Sequence, residues 1–234
     1  MIVSVAACPQ PPLLLPELAT GAAADLAPVR AACASAVREL VRQPVEQVLV
    51  VGAGARADSW GPNDHGSFAR YGRELPVDFG GDRSGRTFGD LSLLVAARLL
   101  ADVPVPRLAV TVPATASTDE CLATGRRIAA DSGNRPIGLL VMGDAAARRA
   151  LAEPGAVDAE ADEFDAAVRE AFAAGDPAAL RALDPDRARA LSAVGRAPWQ
   201  VLAGALAEQR WAARLHYAGA PAEVTYLVAT WRPR

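Results

Sequence analysis

Four short apolar, β-branched runs recur along the chain, at Ile2–Ala7, Glu46–Val51, Arg107–Val112 and Pro136–Met142, and helix-forming stretches separate them. Each run is too short for an ordinary helix, and each ends near a Gly or Pro. Each is also mostly apolar without regular polar alternation, the pattern of a strand covered on both faces. Such strands alternating with helices predict an α/β fold: a three-layer α/β/α arrangement around a mostly parallel, mixed central sheet. The 234 residues are enough for one large core, and neither a repeat nor a low-complexity linker interrupts them, so residues 1–234 are read as a single domain.

The intervening segments complete the expected order. Helices are expected at Ala22–Arg42, Thr87–Leu100, Thr118–Asp131, Asp144–Leu151 and Asp158–Ala174. Two short ones follow at Pro177–Leu183 and Pro185–Val194, each preceded by an Asp suited to cap it. A longer helix, Pro198–Tyr217, should carry His216, and a last strand is expected at Glu223–Trp231. Trp60–Gly89, rich in Gly, Asp, Arg and Pro, reads as loop with a short strand at Leu75–Phe79.

Composition removes several function classes. The net charge is −3 and no run of like charge occurs, which argues against a nucleic-acid footprint. No apolar stretch reaches membrane-spanning length. Val5–Cys8 has the letters of a lipoprotein cleavage box but lacks a basic leader before it. Cys8, Cys33 and Cys121 are odd in number and form no CxxC pair, so neither a disulfide framework nor a structural zinc site is expected, and a reducing cytoplasm is the default location. Only two histidines are present, His65 and His216, too few for a multi-histidine metal site.

Two motifs follow strand ends. Gly52–Ala57 matches the letters of a dinucleotide fingerprint, yet the residues after it, Asp58–Asp64, are poor helix formers, and a turn is the better reading. The proline-rich turn CPQPPLLLPELA after the first run places Cys8 and Gln10 at a strand terminus, where open α/β sheets bind ligands. Cys8 is expected to be inert core, and Ser67 and Ser117 lack a nucleophile elbow. Trp199, Trp211 and Trp231 suit either core packing or an aromatic partner surface.

In this order along the chain, CPQPPLLLPELA, EQVLVVGAG, GPNDHGSF, GRTFGDLSLLVAARLLAD, RPIGLLVMGDAAARR and APWQVLAGAL resemble the class III extradiol ring-cleavage dioxygenase superfamily, which includes the MEMO proteins. The resemblance covers most of the chain. It implies the extradiol dioxygenase-like fold and, in active members, Fe(II) held by two His and one carboxylate, with a further His as acid/base group. Carried over residue by residue, the first His position falls on Gln10. The second falls on Ala55, or on His65 of Asn63-Asp64-His65 if the loop is longer. The acid/base position falls in Gly143–Ala147, which has no His, and the late carboxylate has only Glu223 as a counterpart.

The resemblance therefore implies a degenerate member that keeps the pocket and has lost the iron site, with no cofactor. Cys8, Gln10, Asn63, His65 and Asp144 are the expected lining residues for a small-molecule or peptide ligand. The alternative is an active metal-dependent ring-cleavage enzyme in which His65 holds Fe(II) or another divalent metal with Asp58, Asp64 or Asp144. A third reading is an interaction protein, such as a homodimer joined through the aromatic C-terminal region. No nucleic-acid or membrane partner is expected.

Overall fold

The computed structural model describes residues 1–19, 24–148, 158–206, 209–221 and 223–234. A seven-stranded sheet forms its middle. The strands are β1 (Ile2–Cys8), β2 (Gln47–Gly54), β3 (Asp58–Trp60), β7 (Arg107–Pro113), β8 (Ile137–Met142), β9 (Trp211–Gly219) and β10 (Tyr226–Pro233), in the spatial order β3-β7-β2-β8-β1-β10-β9. The four central strands are parallel, whereas β3, β10 and β9 join antiparallel. The sheet is thus mixed with a parallel centre, as the mostly apolar runs require.

Helices cover both faces, and the side-chain period of two sorts the strands between them. Val5, Ala7, Leu49, Val51, Leu139, Val141, Leu227 and Trp231 enter one core. It also receives α3 (Thr118–Ser132), α4 (Ala159–Ala174), α5 (Pro177–Arg181), α6 (Pro185–Ala190) and α7 (Arg196–Leu206). Ala6, Cys8, Val48, Val50, Leu140, Met142, Tyr226 and Val228 face α1 (Ala27–Leu40) and α2 (Leu91–Leu99). In α1 the buried residues Val29, Ala32, Cys33, Ala36, Val37 and Leu40 recur every three or four positions, the stripe of an amphipathic helix.

Helix ends follow local rules. Ser117 and Glu120 form a reciprocal capping box on α3, and Asp158, Asp176 and Asp184 accept backbone N–H bonds at the starts of α4, α5 and α6. Between α3 and α7, Gly125 faces the Val201 carbonyl and Gly204 faces that of Leu122, so the two backbones approach more closely than any Cβ would allow. Small residues here set the helix spacing.

The structure departs from expectation in four places. Residues 60–89 hold a second, three-stranded sheet, ordered β5 (Pro76–Asp78), β4 (His65–Ser67), β6 (Thr87–Phe88), where mostly loop is expected. The segment from Thr87 begins as β6, and the helix starts only at Leu91. Asp144–Ala147 is not helical, because its backbone is drawn into tertiary bonds: Ala145 N–H donates to the Thr225 carbonyl and Ala147 N–H to that of Leu191. The remainder of that expected helix, from 149, lies outside the described residues, as does the start of the first one at 22–23.

The fourth departure is the largest. Helix α7 ends at Leu206, and His216 lies on strand β9, with its Nε2 2.9 Å from Thr230 Oγ1. Trp211, Ala213 and Leu215 alternate with Ala212 and Arg214, a register shift at His216 turns Tyr217 to the other core, and pairing with β10 selects this strand over the helix-forming composition. Trp199, Trp211 and Trp231 are each at most 2% exposed, so these three rings are core packing. Among the described residues, no helix is long and apolar enough to cross a membrane.

Candidate functional site

From β1 the chain leaves toward α1, and from the adjacent parallel β8 it leaves toward α4 on the opposite face. Neighbouring strands whose connections diverge in this way open a crevice at their carboxyl ends, the usual ligand position in open α/β sheets. Here the two strand ends are tied together. Gly143 N–H donates to the Cys8 carbonyl at 3.0 Å, and Gln10 N–H donates to Asp144 Oδ1 at 2.9 Å. Pro11 and Pro12 fix the turn that follows, a single 3₁₀ turn at Pro12–Leu14.

Strand β10 adds a third wall. Its antiparallel register with β1, ending at Ala7↔Ala229, carries Tyr226 to the level of Gln10. Tyr226 pairs with Gly219 of β9, and the Tyr217 hydroxyl lies beside that glycine. Cys8 and Tyr226 enter the core on the sheet face that α1 and α2 cover, and Tyr226 lies near Asp144.

Desolvation dominates the electrostatics. It pushes the Asp144 carboxyl up to about 7, against the opposing bond from Gln10 N–H. Burial also pushes the Tyr226 phenol well above its usual value, and Asp144 and Tyr217 add to this. The Cys8 thiol is raised by its hydrogen bond with Cys33 and by burial, which suits inert core rather than a nucleophile. Asp144 remains in partial contact with solvent, and its Oδ2 takes no hydrogen bond from the described residues. Gln10 is 7% exposed, and its side-chain Oε1 is buried without a partner among the described residues. A buried acceptor left unmatched costs about 1–3 kcal/mol, so this oxygen needs an explanation.

Three of the five expected lining residues, Cys8, Gln10 and Asp144, therefore meet, while Asn63 and His65 lie elsewhere. Asn63 is exposed on the loop before β4. His65 pairs with Asp78 and Thr87 in the three-stranded sheet, and Asp78 faces Arg107, the first residue of β7. His65 Nε2 sits 3.4 Å from Thr87 Oγ1, and its buried Nδ1 has no partner among the described residues. The carboxylates near that loop are already engaged: Asp64 by the N–H groups of Gly61 and Arg86, and Asp58 by Ser59 N–H and Arg86. Ala55 N–H donates to Asp90, and Glu223 lies exposed in the turn before β10.

This donor set does not fit an Fe(II) facial triad, which needs two imidazoles and a carboxylate converging on one point. The strand-end crevice offers one carboxylate and a glutamine amide, a poor metal ligand. Among the described residues, no group of three or more His, Cys, Asp or Glu is placed to hold a metal.

The other motifs have structural roles. Strand β2 runs through Gly54 and the chain enters β3 without forming a helix, so Gly52–Ala57 presents no helix N-terminus to a pyrophosphate. Gly52 gives room to Ser92 of α2, and Gly54 to Thr111 of β7. Ser67 and Ser117 are helix caps. A groove of about 740 Å³ opens at the start of β1 beside Arg214 and Arg232, but both arginines are held by Glu39. The strand ends, with acceptors unmatched among the described residues, are the better candidate. Tyr226 and Tyr217 escape sequence reasoning; an aromatic at the first position of a strand ending beside β1 was the only available signal.

Searches among known protein families and among curated proteins find no match to this sequence. The crystal structure of an uncharacterized protein from Escherichia coli K12 superposes with a TM-score of 0.57, over 97% of this chain and 99% of that one, at 10% identity. The likeness is one of fold, and it extends over the whole α/β/α arrangement.

Proposed function

We propose that this chain is a degenerate relative of the class III extradiol dioxygenases, one that binds a small molecule at the carboxyl ends of β1 and β8 without iron chemistry. The observation that carries this reading is at Gln10. It occupies the position where the resemblance implies the first iron-ligating His, it is anchored to Asp144, and its side-chain oxygen is buried and unmatched. A ligand donor or an ordered water would satisfy that oxygen, whereas a metal would need histidine there. Elemental analysis of freshly purified protein and anaerobic Fe(II) titration provide the test. Substoichiometric, weak iron binding without catechol turnover is expected. Tight one-to-one iron binding with ring cleavage would overturn the proposal.

One observation favours a second reading, in which His65 helps to hold a divalent metal: its Nδ1 is buried and unpartnered among the described residues. The carboxylates around it are committed to backbone N–H groups and arginines, so the reading needs them to exchange partners. If it holds, His65→Ala will abolish metal binding. Unchanged metal content in that variant sinks it.

A further inference from the structure

The crevice between β1 and β8 is rich in acceptors and poor in cations. Among the described residues, Asp144 Oδ2 takes no protein hydrogen bond and Gln10 Oε1 is buried without one, and the phenols of Tyr226 and Tyr217 stand at the same end of the sheet. No arginine of the described residues pairs with Asp144, although arginine supplies all 24 basic residues and salt bridges hold Asp58, Asp78 and Asp158 elsewhere. A partly buried carboxylate with no counter-ion is a costly arrangement that an incoming cation relieves. A ligand carboxylate or phosphate would instead meet Asp144 with no cation among the described residues paired to it. Tyrosine rings add faces that attract ammonium groups.

We infer that the crevice recognises the ammonium group of a small primary amine, with Asp144 as its counter-ion and Gln10 Oε1 as a second acceptor. The inference rests on the crevice being a small-molecule site, as proposed above. Transfer of the ammonium from water into the site moves no covalent bond. The only proton change is release of the Asp144 carboxyl proton on binding at low pH. Tyr226 on β10 faces Asp144 and has Tyr217 of β9 beside it, and the Cys8 thiol on β1 is hydrogen-bonded to Cys33 of α1; burial favours the neutral forms of the Tyr226 phenol and the Cys8 thiol.

The test is an NMR titration of the ¹⁵N-labelled full chain with three matched probes: benzylamine, benzyl alcohol and benzoate. Benzylamine, protonated throughout, is expected to shift the amides of Gln10, Asp144 and Tyr226 saturably. With the carboxyl titrating near 7, binding should be about tenfold weaker at pH 6 than at pH 8. Asp144→Asn should weaken it at least about tenfold while preserving the folded spectrum. Because the three probes are compared on the unsubstituted chain, the result does not depend on how well that variant folds. If benzyl alcohol or benzoate shifts the same amides as strongly as the amine, the crevice is a ligand site but the amine assignment is wrong. If none of the three shifts them, the amine assignment falls. If benzylamine binds equally at both pH values, Asp144 is not the counter-ion and the inference is overturned.

Discussion

Asp144→Asn separates the cost of the buried charge from everything else at the strand ends. Asparagine keeps an oxygen that can accept the Gln10 N–H bond, 2.9 Å long in the native chain, and removes the titration. In the folded protein, burial moves the carboxyl from an ordinary 3.8 to about 7. At about 1.4 kcal/mol per pH unit, the ionised form costs the folded state about 4 kcal/mol at pH 8, and solvent contact at Oδ2 trims this to roughly 2–4 kcal/mol. A raised carboxyl means that, between about pH 4 and 7, the folded state holds a proton the unfolded chain has released. The native chain therefore loses stability as pH rises through that window, and below it the residue contributes nothing. Urea unfolding followed by circular dichroism, at several values from about pH 4.5 to 8, gives the free energy of each chain by linear extrapolation. Subtracting one from the other cancels every group they share. The variant should gain on the native chain as pH rises, by roughly 2–4 kcal/mol over the series at unchanged m-value. A difference that stays flat, or shrinks, refutes the reasoning.

Three further outcomes follow. Gln10→Leu removes the unmatched acceptor and should leave stability unchanged or raise it by about 1–2 kcal/mol, a result readable in the same urea titration. Glu39→Gln should cost about 1–2 kcal/mol at pH 7, since Glu39 accepts from Thr230, Arg214 and Arg232. Burial pushes that carboxyl up, but the Thr230 hydroxyl, His216 and the two arginines hold it below its usual range, so its contribution is present at neutral pH and lost on acidification; the variant should show a shallower loss of stability below about pH 4.5. Gly125→Ala drives a methyl group into the Val201 carbonyl of α7 and should destabilise by about 1–3 kcal/mol in thermal unfolding.

The parallel centre of the sheet was legible because β1, β2, β7 and β8 are each short and mostly apolar, with polar residues such as Ser4 and Thr111 isolated among them. The helix caps were legible because Asp-Pro pairs act locally. Strand β9 was not, because Ala, Arg and Leu favour a helix in isolation and only the β10 partner imposes the two-residue period. In the small sheet β5 was legible as the short run at Leu75–Phe79, whereas β4 and β6, of three and two residues, were hidden because they exist only through pairing with other segments. At the site, Gln10 could be read from its place after a strand. The separation of His65 from it depends on how residues 60–89 fold back along β7, and no local pattern encodes that. The charge state of Asp144 depends wholly on desolvation and on the lack of a nearby arginine, both products of packing.

The electrostatics at the strand ends follow from how the chain leaves them. In many open α/β sheets a helix begins directly after a strand, and its N-terminal N–H groups and dipole make the crevice receptive to anions. Here a proline-rich turn follows β1, and α1 starts only at Ala27. After β8, Asp144–Ala147 are not helical, and α4 spans Ala159–Ala174. Among the described residues neither connection aims a helix N-terminus at Gln10 or Asp144, and no basic side chain substitutes for one. Gly195, just before α7, donates its N–H to the Asp144 backbone carbonyl, so the side-chain carboxyl is the group there whose charge changes with pH. An anion that meets this carboxyl should bind more strongly as pH falls through about 7, whereas a cation gains in the opposite direction. The direction of the pH dependence thus identifies the class of ligand before the ligand itself is known.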